Sequence, residues 1–289
     1  MQAPLLREGR LFRAYARLMF SRISNAWSLA KSSWALLQKD RELAWLPVIG
    51  GIGAVLVGAL FFGPVLAMLG GGDDNAIPLA GYLLGFVGYV AVAMVFFLAR
   101  AAVIQGANFR MEGGDPTVRT ALRGATEHWA AVAGFAAISV TVGLVLQAVR
   151  ENGGIVGAVV SFIGDVAWGV LTYLVLPVIV IEGAGTIAGI KGSSALVKRT
   201  WGEQVTANVG FGLLNLLLVL PAIAVVFLVA PLGGLVAVAA IAVAVVWAVT
   251  VSAIVATLTA IFQTALYRQA TGRSVPTEFD PATLSRSFS

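Results

Sequence analysis

The feature that most constrains this chain is a set of six long, almost uncharged apolar stretches. A membrane-crossing helix needs about 20 mostly apolar residues, because the hydrocarbon core is about 30 Å thick and a helix rises about 1.5 Å per residue. Every stretch reaches that length. They run approximately over Trp45–Leu69, Ile77–Ala99, Trp129–Val149, Ile155–Ile181, Thr206–Ala230 and Leu232–Ala260. The sequence therefore predicts six transmembrane helices.

The composition supports this interpretation and excludes a soluble globular protein. Apolar residues make up 59% of the chain and charged residues only 11%, whereas about a quarter of the residues of a soluble domain are charged. None of the six stretches alternates apolar with polar residues, so a transmembrane β-barrel is not indicated. Helices satisfy their own backbone hydrogen bonds inside lipid. The predicted fold class is all-α, a polytopic membrane protein.

The distribution of positive charge predicts the orientation. Of the 19 Lys and Arg residues, all except Arg150 lie on one side of the predicted spans. Positively charged segments stay in the cytoplasm, so both termini are predicted to be cytoplasmic, with Asp73, Asp74 and Glu151 in short outer loops. The first apolar run starts only near Leu43 and is too long for a cleavable signal peptide. The basic character of the chain then reflects topology, and no nucleic-acid partner is expected.

The six spans group into three hairpins, each preceded by a cytoplasmic segment that carries a tryptophan near its end. These tryptophans are Trp34, Trp129 and Trp201. We predict three regions, which are a cytoplasmic amphipathic region over 1–44, a membrane domain over 45–267 and a cytoplasmic tail over 268–289.

Parts of the membrane domain are expected to lie outside the lipid. Residues 100–128 and 182–205 are predicted to form cytoplasmic helical segments. The second and sixth apolar helices are expected to continue past the lipid to Arg110 and Arg268, because their helical pattern persists after the apolar runs end. Together these segments predict a small helical layer on the cytoplasmic face.

Two of the hairpins end in similar sequences, which suggests an internal repeat. Residues Gln105–Arg110 read QGANFR and residues Gln263–Arg268 read QTALYR. The corresponding segment of the middle hairpin, Ile181–Gly185, matches poorly. A threefold repeat is our interpretation. The alternative is that the hairpins look alike only because membrane hairpins share an apolar composition.

Amphipathic segments are candidates for contact with the membrane surface. The N-terminal segment places apolar residues at helical spacing opposite a row of arginines, as in helices that lie in the headgroup plane and attract anionic lipid. The alternative is an anchor that only sets the topology. The candidate surface residues are Arg10, Arg13, Arg17, Arg22, Trp27, Trp34 and Trp201.

Few polar residues fall inside the predicted spans, and each is a candidate for function. Asp165 carries the one carboxylate there, and a charge in a span costs roughly 2.5–3.5 kcal/mol on insertion scales. It would instead be interfacial if Gly153–Gly164 folded back along the outer surface, because Arg150 could then reach it and the fourth helix would begin near Asp165. Asn208 and Asn215 lie two turns apart on the fifth helix. Such amides more often join helices than line a conduction path.

The motifs that usually indicate catalysis are absent from the sequence. The chain has no cysteine and one histidine, so thiolate and His-based metal sites are not expected, nor is a cofactor. Our leading hypothesis is a non-enzymatic scaffold or accessory subunit that binds lipids and a membrane-protein partner or a second copy. The alternative is a small transporter or channel for a lipid or amphipathic solute. A membrane enzyme would require His128, Glu182 and Glu203 to converge in a cytoplasmic cleft.

Four segments carry a resemblance to a known family. They are the residues around Trp34–Pro47, Leu176–Gly183, Lys198–Glu203 and Ala265–Gly272. Through them the chain resembles, over roughly Ser24–Phe279, the bacterial six-helix membrane proteins grouped as domain of unknown function 6159. The resemblance implies placement in a bacterial cytoplasmic membrane and implies no mechanism. The Arg-rich residues 1–22 look like an addition to the family pattern.

Overall fold

The computed structural model describes residues 31–70, 78–201, 208–229, 231, 233–277 and 279. Every regular element in these ranges is helical, which confirms the all-α fold class. A 3-10 turn, Arg41–Ala44, follows the first helix. The helices are α1 (31–39), α2 (Trp45–Gly70), α3 (Leu79–Met111), α4 (Val118–Thr126), α5 (Trp129–Asn152), α6 (Gly154–Leu171), α7 (Val175–Glu182), α8 (Thr186–Trp201), α9 (Asn208–Val229) and α10 (Gly234–Ala270).

Five stretches in the described ranges are long and apolar enough to cross a membrane. They are Arg41–Ala67, Leu79–Met111, Trp129–Asn152, Gly154–Glu182 and Gly234–Ala270. The sixth predicted span corresponds to α9, whose apolar part is the shorter stretch Leu214–Val229. A multi-pass membrane protein is therefore supported, while the count of six stays a prediction.

Consecutive apolar helices pack against each other as α2 with α3, α5 with α6, and α9 with α10. Glycine allows two of these approaches. A Cβ on Gly50 would lie 2.3 Å from the Cβ of Ala99, and one on Gly157 would lie 2.2 Å from the carbonyl oxygen of Val149. Both distances are shorter than real Cβ contacts. The backbone of α2 at Gly50 therefore packs directly against the side chain of Ala99 on α3. The backbone of α6 at Gly157 packs directly against the backbone of α5.

The buried core lies at one end of the helices. It is formed by α7, the C-terminal ends of α3 and α10, and the residues around the 3-10 turn. Its largest fully buried side chains include Tyr267, Phe262, Ile104 and Leu46. The opposite ends of the helices expose their apolar side chains, such as Ile155 at 87%. This division is typical of a membrane protein, because lipid covers apolar surface in the span whereas water beyond it favours burial.

The extension of two helices past the predicted spans is confirmed. Helix α3 continues to Met111 and α10 continues to Ala270. In α10, residues 260–268 are all buried, although several of them are polar. These extensions form the centre of the helical layer that the sequence predicts.

The predicted span over Ile155–Ile181 is confirmed as a stretch long and apolar enough to cross a membrane, but it is divided between two helices. Helix α6 ends at Leu171, and α7 begins at Val175 after a short turn. Pro177 explains the break, because a proline ring has no N–H to donate and clashes with the carbonyl four residues earlier. That carbonyl belongs to Tyr173 and accepts a hydrogen bond from Gln263 instead.

Candidate functional site

The polar side chains of the core form a layer of hydrogen-bonded clusters, one of them centred on Arg268. This arginine is 3% exposed. Its Nη1 donates to the Oδ1 of Asn108 at 2.7 Å and to Oε1 of Glu112 at 3.1 Å, and its Nε donates to the carbonyl of Ser274 at 2.8 Å. Arg268 thus joins the C-terminal ends of α3 and α10 to the turn that follows α10.

A second arginine, Arg110, joins the 3-10 turn to α3. Its Nε and Nη2 donate to the two carboxylate oxygens of Asp40, whose side chain is 4% exposed. Nη2 also donates to Oδ1 of Asp115 at 2.6 Å. Bidentate pairing of this kind fixes both partners in direction as well as in distance. It holds the chain entering α2 against the end of α3.

Arg110 and Arg268 occupy equivalent positions of the suspected repeat and make similar contacts. Each bonds back to the turn after its own helix, Arg110 to Asp115 and Arg268 to Ser274. Each of those turns contains a glycine with a positive φ, the conformation that ends a helix at little steric cost. The threefold repeat itself stays a prediction.

Gln105 and Gln263 are a second equivalent pair. The Nε2 of Gln105 donates to the carbonyl of Val180 at 2.6 Å, and the Nε2 of Gln263 donates to the carbonyl of Tyr173. Both glutamines therefore hold the segment that contains α7. A buried carbonyl without a donor costs about 1–3 kcal/mol, so these side chains stabilise the placement of α7 between α3 and α10.

Ser193 of α8 completes the hydrogen bonding of the helix break. Its hydroxyl donates to the carbonyl of Leu171 at 2.7 Å and accepts from the backbone N–H of Leu174 at 3.0 Å. The side chain is fully buried. The ends of α6 and α7 are therefore bridged by a side chain from another helix, which places α8 on the core.

A cleft of about 310 Å³ opens beside the polar layer. It is lined by Leu36, Lys39, Arg110, Met111 and Gly113, and by the turn over 274–277. Arg110 is already paired with two carboxylates, so it brings little net charge to the cleft. Of the intramembrane candidates with a described side chain, neither Asp165 nor Asn215 lines this cleft.

Asp165 pairs with Arg150, the partner that the interfacial interpretation of the sequence gives it. Its Oδ2 accepts from Nη2 of Arg150 at 2.5 Å, and the Nε of Arg150 donates to Ser161 at 3.1 Å. The fourth helix nevertheless does not start near Asp165, because α6 begins at Gly154. Gly154 has φ +54, which lets the chain reverse its direction between the end of α5 at Asn152 and the start of α6 at Gly154. The pair is half exposed, at 53% and 46%, on two apolar helices.

We expect Asp165→Asn to lower the free energy of unfolding by about 1 kcal/mol, since hydrogen bonds between membrane helices average about 0.6 kcal/mol and an exposed ion pair contributes at most about 1 kcal/mol. Arg150→Gln combined with Asp165→Asn should cost less than the sum of the two single changes. The measurement is a double-mutant cycle of unfolding in mixed micelles. A coupling energy of zero would contradict the pairing.

The remaining sequence candidates are only partly described. Trp34 is 43% exposed on α1 and suits the membrane surface. The Oδ1 of Asn215 is buried and has no hydrogen-bond partner within the part of the chain that the structure describes. The side chains of Trp201 and Asn208 lie outside the described part of their helices. Outside the described residues altogether are Arg10, Arg13, Arg17, Arg22 and Trp27.

Of the three residues required for the enzyme interpretation, the structure describes His128 and Glu182. Glu182 accepts a hydrogen bond from the hydroxyl of Tyr267, so its carboxylate is engaged in the core. His128 lies next to Gly183, and Glu203 falls outside the description. Within the described ranges, no group of three His, Cys, Asp or Glu side chains could hold a metal ion.

Sequence reasoning missed several residues of this site. Asp40 and Arg268 lie in segments that carry the family resemblance, but their pairing partners were not identified. Arg100 and Ser193 were not identified either. Arg100 directly follows a predicted span, and a polar residue at that position is a signal that could have identified it as a candidate site residue.

A family model matches residues 79–275 of the chain and is described as a family of unknown function, DUF6159. The chain belongs to DUF6159. The match begins at the first residue of α3 and ends in the turn whose Ser274 carbonyl accepts a hydrogen bond from Arg268. It therefore contains most of the polar layer of this DUF6159 protein. Asp40 and α2 precede the matched residues. No curated protein matches the chain.

Proposed function

We propose that this DUF6159 protein is a non-enzymatic scaffold or accessory subunit of a bacterial cytoplasmic membrane. In this proposal the chain crosses the membrane six times as three hairpins, with both termini and the polar layer in the cytoplasm. The excess of Lys and Arg on that side supports the orientation. The observation that carries the role is the polar layer itself, because most of its described side chains bond to one another and to backbone groups.

Further support comes from the two kinds of surface. The apolar ends of the helices expose large side chains, including Phe227 at 76% and Leu235 at 84%, which suit contact with lipid or with another membrane helix. The cytoplasmic layer presents short helices, α4 and α8, that carry exposed cations such as Arg119 and Lys191. Anionic lipids, a membrane-protein partner or a second copy of the chain fit these surfaces.

Transport of a lipid or amphipathic solute is the second candidate. The half-exposed pair of Arg150 with Asp165 and the unpartnered amide oxygen of Asn215 favour it, because polar groups in a span often mark a pathway. The cleft beside the polar layer is not built from these residues.

The two candidates can be separated by purification and reconstitution of the full chain. Native mass spectrometry of the protein extracted from its own membrane should show a second polypeptide, or a second copy, at fixed stoichiometry. Vesicles containing the protein should move fluorescent lipid between leaflets no faster than empty vesicles. A protein that purifies alone and moves lipid at a rate abolished by Asp165→Asn would instead establish transport.

A further inference from the structure

Arg100 carries a charge that the described part of the chain does not neutralise. It directly follows the predicted span over 77–99 and is partly buried. Its Nε donates to Oε1 of Gln263 at 3.1 Å. No carboxylate of the described residues lies within ion-pair distance of it, although other arginines of the layer are paired. Removing a cation from water without a counter-charge costs several kcal/mol.

Gln263 fixes the direction in which the guanidinium faces. Because its Nε2 is held by the carbonyl of Tyr173, its Oε1 is presented to the Nε of Arg100. This contact occupies one edge of the guanidinium. The edge formed by Nη1 and Nη2 has no hydrogen-bond partner in the described ranges. Two parallel N–H groups on such an edge match two oxygens of one oxyanion.

Tyr173 supplies a second and independent indication of a ligand. Tyr173 is 9% exposed, and its hydroxyl is buried without a hydrogen-bond partner among the described residues. Tyr173 is linked to Arg100 through Gln263, which accepts from the Nε of Arg100 and donates to the backbone carbonyl of Tyr173. Buried polar atoms without partners are rare in folded proteins. The Tyr173 hydroxyl can donate a hydrogen bond, and the Arg100 guanidinium carries a positive charge. Together these two groups suit the binding of an anion.

We propose that Arg100 binds a phosphate group through Nη1 and Nη2, with Gln263 as the positioning residue and Tyr173 as an additional donor. The position of Arg100 at the end of a predicted span places it at headgroup depth, where the phosphodiester of an anionic lipid is available from the membrane and free phosphate from the cytoplasm. This inference assigns a ligand class and does not depend on the scaffold role.

The test uses the full chain purified in detergent and titrated with phosphatidylglycerol under native mass spectrometry. Hydrogen bonds to charged groups contribute about 1.5–3 kcal/mol, so Arg100→Gln should weaken binding of the first lipid about tenfold or more. Tyr173→Phe should weaken it by a smaller factor. The matched control is Arg41→Gln, which removes an exposed cation of the 3-10 turn and should leave the affinity for the first lipid unchanged.

A parallel titration with inorganic phosphate separates the two sources. Inorganic phosphate that binds the wild type more tightly than the lipid does would assign the site to free phosphate. Phosphate that does not bind at concentrations where the lipid saturates the site would assign it to a lipid headgroup. Equal lipid and phosphate binding by the wild type and Arg100→Gln would overturn the proposal. If Arg100→Gln fails to fold, Arg100→Lys decides, because it keeps the charge and loses the bidentate edge. Unchanged affinity in that variant would also overturn the proposal.

Discussion

Arg268→Met is expected to lower the free energy of unfolding by about 3–5 kcal/mol, the range measured when one partner of a buried ionic group is removed. Methionine fills much of the same volume but donates no hydrogen bond. The amide of Asn108 and the carbonyl of Ser274 would lose their donor, and the carboxylate of Glu112 would lose its counter-charge. Unfolding in mixed micelles, followed by circular dichroism, measures the change.

Arg123→Met is the matched control for this prediction. Arg123 also pairs with a glutamate, Glu127, but the two side chains are 83% and 62% exposed. Exposed pairs of this kind contribute about 0.3–0.5 kcal/mol, so the control should unfold almost as the wild type does. If the two variants lost the same stability, Arg268 would not be the centre of a buried layer.

Gln263→Leu is expected to lower the free energy of unfolding by about 2–3 kcal/mol. Leucine matches the shape of glutamine but leaves the carbonyl of Tyr173 and the Nε of Arg100 without their partner, and an unsatisfied buried group costs about 1–3 kcal/mol. The carbonyl cannot return to helical hydrogen bonding, because Pro177 offers no N–H. Loss of Gln263 should therefore loosen α7, which hydrogen exchange of residues 174–180 would detect.

Gln269→Leu provides the comparison on the same helix. Gln269 is partly exposed, and no hydrogen bond of its side chain is found in the described ranges. Its replacement should change the stability by less than about 0.5 kcal/mol and should leave exchange in α7 unaltered. Equal exchange in the two variants would show that Gln263 does not hold the helix break.

The local pattern of apolar residues was sufficient to predict the long helices. Long apolar runs over 79–99 or 129–149 leave the backbone no alternative in lipid, and the continued helical spacing predicted the extension to Arg110. Pro177 alone does not predict the helix break near it, because prolines also occur inside unbroken spans, as Pro64 does within α2. A proline stops a helix only where other groups satisfy the freed backbone.

The polar layer could not be predicted from the sequence because its contacts join residues far apart along the chain. Arg100 meets Gln263, and Arg110 meets Asp40, through the packing of helices whose order in space the sequence does not specify. The similarity of QGANFR to QTALYR indicated equivalent positions, but hydrogen-bond partners depend on which helix lies opposite. Asp165 shows the same limit, because the sequence is consistent with a position of Asp165 inside the span and with one at the outer interface.

The most direct test of the account is the side of the membrane on which single cysteines react. The chain contains no cysteine, so Glu127→Cys, Asn152→Cys and Thr277→Cys each introduce one thiol at an exposed position. In intact cells an impermeant maleimide should label Asn152→Cys, whereas Glu127→Cys and Thr277→Cys should react only after the membrane is opened. Labelling of Glu127→Cys and Asn152→Cys from the same side would contradict the crossing of the membrane by α5, and with it the assignment of the polar layer to the cytoplasm.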